Sequence, residues 1–271
     1  MPGIVIVTAY YPPQNSAGAN RLKSFADYFA GSGYRCTVIA PPFGKACDDS
    51  AEPAAVRRVE IAAPPPGIGF LRRFIAQGRV ALALLAEARR TPADIYLVTS
   101  PFLAALLAAP WLLPAKRLLF DVRDLTWEYR IDGGMGVRLA QGILRPFAAA
   151  ALRRARLVSV SSPAEYGYLA RVVVADRLVL VSSRVEADVI AALAAVPRSP
   201  HAVPVILYAG TLGQAQGIEV LADVAAIAPD LYVRIVGEGM ERAGLEQRRD
   251  RYGLANLQIE PRARRARLDA L

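Results

Sequence analysis

The chain opens its pattern with four consecutive apolar residues, Ile4-Val5-Ile6-Val7, and after a polar stretch sets Leu22, Phe25, Ala26 and Phe29 at helical spacing. A short apolar run reads as a buried strand, and the i, i+3, i+4, i+7 recurrence reads as one face of a helix. The same alternation continues. Strands are predicted over Ile4–Thr8, Cys36–Ala40, Val56–Ile61, Ile95–Thr99, Leu118–Val122 and Leu157–Ser161, the last closing the set. Helices are predicted around Arg21–Gly31, over Phe70–Arg90, Phe102–Leu113 and Val137–Ala155, and near Ala164–Leu169. Strands separated by helical crossovers imply a parallel sheet covered on both faces.

The pattern weakens across VPRSPHAVP, residues 196–204, where three prolines fall in nine residues. This stretch reads as a linker. A second unit follows, with strands at Val205–Ala209, Tyr232–Val236 and Leu257–Ile259 and helices over Ile218–Ala228 and up to about Tyr252. The expected organisation is a Rossmann-like domain at 1–195, the linker, and a second Rossmann-like domain at 205–271. Three strands fall short of a five- or six-stranded sheet, so that domain reads as incomplete.

Composition narrows the function classes. The formal charge of +9, carried mostly by Arg, suits phosphate-bearing ligands, nucleic acid or an anionic membrane. The arginines are scattered and no nucleic-acid module is visible, so nucleic acid is not the expected partner. Cys36 and Cys47 form neither a CxxC pair nor a disulfide framework, which fits a reducing cytoplasm. The start MPGIVIVTAYY does not read as a signal peptide. Ile95–Pro114 carries no charge and is long enough to span a bilayer, but Pro101 and Pro110 divide it into a buried strand and a buried helix. The helix led by GFLRRF could instead lie on anionic lipid.

Four loops follow predicted strands at their carboxyl ends, where open α/β sheets bind ligands. The first, TAYYPPQNSAGAN, spends about ten residues where a plain connection needs two to six. Ser16, Gly18 and Asn20 stand at its tip, where a helix start and a bare backbone favour an anion. The second, FDVRDLTWEY, sets Asp121, Arg123 and Asp124 after an apolar strand, a costly arrangement unless they pair with each other or with a ligand. Asp124 is the better candidate for an acceptor-side carboxylate or general base, with Arg123 beside it. The third, YAGTLGQAQG, lacks the dinucleotide fingerprint but offers a phosphate cradle at Gly210, Thr211, Gly213 and Gln216. The fourth sets Gly237 and Gly239 around Glu238 at a matching turn. Two such turns in one domain argue for a nucleotide. His201, the only histidine, lies in the linker, and no metal-ligand cluster is apparent, so no metal and no cofactor are expected.

These residues carry a resemblance. YYPPQNSAGANRLKSFADYFAGSGYRCTVIAPPFG resembles the opening of family 4 glycosyltransferases. SPFLAALLA with LLFDVRDL, VILYAGTLGQAQGIEVLADVA and VGEGMERAGLEQ resemble segments of the family's WbuB-like subgroup, in the same order. The resemblance implies a GT-B fold, a nucleotide-sugar donor on the C-terminal domain, a glycan or lipid-linked acceptor facing the N-terminal one, and retention of anomeric configuration. It implies a role in bacterial surface polysaccharide assembly, in the cytoplasm or at the inner face of the membrane. Departures are Thr211 and Gln216 where many relatives have Arg and Lys, Arg123 where many have His, and VSSRVEAD in place of the usual hinge. The family continues beyond the length seen here, so a truncated donor domain, or a partner chain completing it, is expected. A non-catalytic GT-B-like binding or scaffold protein, or a gene fragment, is the alternative.

Overall fold

The computed structural model describes residues 1–14, 16–42, 52–61, 70–100, 102–128, 135–183, 190–191, 194–195, 203–213 and 216–261, with the backbone alone at 70–74 and 135–140. The chain divides into two compact units, Met1–Arg184 and Val185–Leu271. In the first, β1 (Gly3–Val7), β2 (Arg35–Ala40), β3 (Ala55–Arg58), β4 (Ile95–Thr99), β5 (Leu118–Val122), β6 (Leu157–Val160) and β7 (Leu178–Leu180) form one sheet in the order β3-β2-β1-β4-β5-β6-β7. Every pairing is parallel. The crossover helices are α1 (Ala17–Gly31), α2 (Phe70–Arg90), α3 (Leu103–Leu112), α4 (Met135–Arg154) and α5 (Pro163–Leu169).

Side chains on a strand alternate between faces, and β1 shows the consequence. Ile4 and Ile6 join a core with Leu22 and Ala26 of α1. Val5 and Val7 face the larger core, which takes Leu84 and Leu85 from α2, Leu106 from α3, Leu152 from α4 and Leu169 from α5. A strand buried on both faces must be apolar throughout, which explains the unbroken Ile-Val-Ile-Val run. The predicted sheet stopped one strand early, because β7 has three residues and follows a single turn of 3-10 helix at Ala175–Arg177, too short for either period to show. β1 and β4 are neighbours, and the chain winds away from them in opposite directions. Their carboxyl ends therefore mark the switch point where such sheets open a crevice.

The second unit is a smaller version. β8 (Val205–Ala209), β9 (Tyr232–Val236) and β10 (Leu257–Glu260) pair in parallel in the order β10-β9-β8, with α6 (Glu219–Ile227) and α7 (Arg242–Tyr252) between them. Its core gathers Leu212, Ile218, Ala222, Val233, Ile235, Leu245 and Leu257. Asn256 fixes the entry to β10 by donating its side-chain amide to the carbonyls of Ala225, Ala228 and Leu231.

Candidate active site

In the first unit the long loop after β1 is tied down at several points. Tyr11 is buried and donates to Glu52 at 3.1 Å, and Arg58 stacks on its ring and donates to the carbonyl of Pro12. Burial first, and then Glu52, push the Tyr11 hydroxyl pKa well above its ordinary value, so it remains a neutral donor. Ser16 caps α1, its Oγ accepting from the N–H of Ala19 at 3.2 Å. Asn20 is exposed on the first turn.

Gly18 faces β5. A Cβ built there would lie 2.5 Å from Nη1 of Arg123, so only a bare backbone lets that guanidinium settle. Arg123 donates from Nε and Nη2 to the carbonyl of Ser100, at 3.1 and 2.7 Å, and its backbone N–H donates to Ser100 Oγ at 2.7 Å. The N–H of Asp124 reaches the same hydroxyl at 3.2 Å. Burial lowers the Arg123 pKa and outweighs the opposing pull of Asp121 and Asp124. The structure thus brings Gly18, Arg123 and Asp124 together where the crevice of an open sheet lies. Thr126, two residues on, buries a hydroxyl that has no hydrogen-bond partner among the described residues.

The carboxylate at Asp121 has a different partner from the one its neighbour suggested. It is fully buried and receives Arg21 Nη2 at 2.8 Å and Nε at 3.0 Å, and Ser159 Oγ at 2.7 Å, while Arg123 Nε stands 4.0 Å away. Arg21 also donates to the carbonyl of Val181 at 2.7 Å and lies over the Phe25 ring. Sequence reasoning passed over Arg21 and Ser100. The available signal was Asp121 itself: a carboxylate inside an apolar strand demands a buried cation, and Arg21 is one helical turn beyond Gly18.

In the second unit the loops after β8 and β9 lie against each other at the carboxyl end of the sheet. The N–H of Leu212 donates to the carbonyl of Glu238 at 2.9 Å, and that of Glu241 to the carbonyl of Leu212 at 3.0 Å. The glycines sit where the strands of chain cross. A Cβ at Gly237 would lie 1.9 Å from the carbonyl oxygen of Gly210, and one at Gly239 would lie 2.0 Å from that of Leu212. Arg242, another residue the sequence did not single out, latches the arrangement from Nη1 to the carbonyls of Gly237 and Glu260, both at 3.1 Å, and to Glu238 at 3.2 Å. The Tyr208 hydroxyl fixes the carbonyl of Thr211 at 2.8 Å. Among the described residues the N–H groups of Thr211 and Gly213 make no hydrogen bond. Gln216 folds back over the loop, its Oε1 2.6 Å from where a Gly213 Cβ would sit.

Among the described residues no group of three or more His, Cys, Asp and Glu could hold a metal ion, and no helix is long and apolar enough to cross a membrane. The GFLRRF start of α2 lies outside the described side chains.

No curated protein matches the chain. Among solved structures it is similar to sucrose-phosphate synthase from Thermosynechococcus elongatus, at 18% identity and a TM-score of 0.71 over 99% of this chain and 72% of that one. HepE of Anabaena, in complex with UDP and glucose, gives 15% identity and 0.64 over 98% and 70%. The catalytic domain of starch synthase IV from Arabidopsis thaliana, bound to ADP and acarbose, gives 12% and 0.66 over 97% and 74%. These likenesses identify the fold as GT-B, built from Rossmann-like domains. Residues 16–184, well over half the chain and including Gly18, Arg21, Asp121, Arg123 and Asp124, match the glycosyl transferase 4-like domain, and the chain belongs to that family.

Proposed function

We propose that the chain moves a hexosyl group from a nucleotide sugar to a glycan or lipid-linked acceptor, with retention, in surface polysaccharide assembly. The proposal places it in the WbuB-like subgroup, in the cytoplasm and in peripheral contact with the inner face of the membrane. The observation that carries the donor half is the pair of N–H groups at Thr211 and Gly213, which make no hydrogen bond among the described residues, on a loop held by the bonds of Gly210, Leu212 and the Thr211 carbonyl. Preset donors of this kind stabilise a diphosphate as the glycosidic C–O bond to it breaks. Gly210, Gln216 and the Gly237–Glu238–Gly239 turn shape the same cradle. UDP bound to HepE is consistent with this donor class. On the acceptor side, Asp124 accepts a proton from the attacking hydroxyl, Arg123 places charge beside it, and Ser16, Gly18 and Asn20 border the entry.

Calorimetry with uridine and guanosine diphosphates tests the donor half, and a radiolabelled-sugar assay on lipid-linked acceptors tests transfer. Gly210→Val sets a branched side chain against the Tyr208 hydroxyl, 2.9 Å from the Cβ position, and should weaken nucleotide binding at least about tenfold. If neither diphosphate binds the unaltered chain, the proposal fails and a non-catalytic scaffold takes its place. One observation favours that second reading: loop-to-loop packing alone accounts for Gly237 and Gly239.

A further inference from the structure

The outer face of the α2–α3–α4 layer has a composition that neither loop site uses. α3 packs between α2 and α4. The inner faces supply Ala81, Leu84 and Leu85, then Leu106 and Ala109, then Ala151 and Leu152 to the core. On the outside of α4, Ile143, Phe147, Ala150 and Arg154 follow one another at helical spacing, and all are exposed. Trp111 stands beside them on α3, 72% exposed, with the Arg154 guanidinium 4.4 Å above its ring. On α2, Ile75, Arg79, Leu82, Ala86 and Arg89 repeat the spacing, all exposed.

Isolated exposed apolar side chains are ordinary. Here five large ones, Ile75, Leu82, Trp111, Ile143 and Phe147, share one helical layer. The sequences of its three helices hold nine arginines and one acidic residue, Glu87, which Arg57 holds at 3.0 Å and Arg90 at 3.7 Å. Glu128, at the edge of the layer, is held by Arg145 at 2.6 Å and by Tyr168.

We infer that this face docks on an anionic lipid surface. The charge is complementary to acidic headgroups, which attract each basic side chain near the surface. The apolar tips gain by entering the acyl boundary, and Trp suits that depth because its ring is apolar and its N–H is not. Arg154 can keep its place over the Trp111 ring while its outer N–H groups meet phosphate. The inference rests on the peripheral-membrane part of the proposed function, and places the contact on the outer face of the helical layer rather than at the first turn of α2.

Sedimentation of the whole chain with phosphatidylcholine vesicles, with and without about a third phosphatidylglycerol, tests it. Binding should need the anionic lipid, and Trp111 emission should shift to the blue while buried Trp127 contributes a constant background. Ile143→Asp with Phe147→Asp, at exposed positions, should weaken binding at least about tenfold with the circular dichroism unchanged. Arg154→Glu should weaken it by a similar factor, again about tenfold, at low salt. Tyr28→Asp, exposed on α1 against the opposite face of the sheet, should change nothing. Equal binding to neutral vesicles, no binding, a missing blue shift, or full binding by the Ile143/Phe147 variant overturns the inference. Nucleotide calorimetry on the same variants keeps this outcome separate from that of the transferase reading.

Discussion

Around Asp121 the first unit satisfies one buried carboxylate with three side-chain donor atoms drawn from α1 and β6. Around Gly237 the second unit brings backbone against backbone, the Gly210 carbonyl oxygen lying where a side chain would begin. Both arrangements stand at the carboxyl ends of parallel strands, and both hold loops still. They fail differently. A buried ion pair is bound by charge, so removing one partner leaves the other uncompensated in a poor dielectric. A glycine crossing is bound by shape, so adding one carbon forces the chains apart. Function follows the same division. Charge-held loops leave ionisable groups such as Asp124 near the crevice, whereas shape-held loops leave backbone N–H groups such as those of Thr211 and Gly213.

The most severe test is Arg21→Ala. It strands the Asp121 carboxylate and should cost the first unit about 3–5 kcal/mol. Both tryptophans of the chain lie in that unit, so Trp emission during denaturant unfolding reports it alone. Adding Asp121→Ala should recover part of the loss, since the pair acts as one network. A loss equal to the sum of the two single variants contradicts the pairing.

Gly237→Ala comes next. Its Cβ would stand 1.9 Å from the Gly210 oxygen, and the displaced loops should cost the second unit about 2–3 kcal/mol. Hydrogen exchange at the Leu212 and Gly210 amides, which donate to Glu238 and Val236, is the local readout. Gly244, in α7 with open space around its Cβ position, is the matched control. Gly244→Ala should stabilise by up to about 1 kcal/mol. Similar behaviour by the two variants would show that the crossing is not set by shape.

Gly18→Ala should be milder, about 1 kcal/mol, because the group it displaces is the far end of a flexible arginine. The Arg123 guanidinium should leave the Ser100 carbonyl, which a crystal structure of the variant would show directly. An unmoved Arg123 would mean that Gly18 has another reason to be bare.

The smallest effect concerns pH. Two hydrogen bonds from Arg234 hold the Glu260 carboxyl below its ordinary pKa. The resulting stability is fully present above the unfolded carboxylate value, about 4.3, and is lost as pH falls through the lower folded value. For a pair this open to solvent the amount is below about 1 kcal/mol. Arg234→Gln should flatten that acid limb of the second unit's stability profile without moving the first unit's.

How legible this was varies with the range of the interaction. The strands could be read because a parallel sheet buried on both faces leaves room for little except apolar side chains, as at Gly3–Val7 and Ile95–Thr99. The two Gly-rich turns could be read as turns, and Asp124 as a carboxylate at a strand end, since strand ends and glycines are local signals. Nothing local announced β7, whose three residues depend on β6 for their conformation. Asp121 announced that it needed a partner, yet the choice between Arg123, two residues away, and Arg21, a hundred residues away, could be made only by folding. The sheet order brings the start of α1 beside β5, and that geometry, with β6 supplying Ser159, decides which cation reaches the carboxylate. Likewise the glycines at 237 and 239 determined by themselves only that backbone would be bare. That they meet Gly210 and Leu212 was decided by the pairing of β8 with β9, which sets the two loops at one height. Periodicity and composition act over a few residues and are written in the chain; pairing between distant charges and crossing backbones exists only once the sheet has fixed the register.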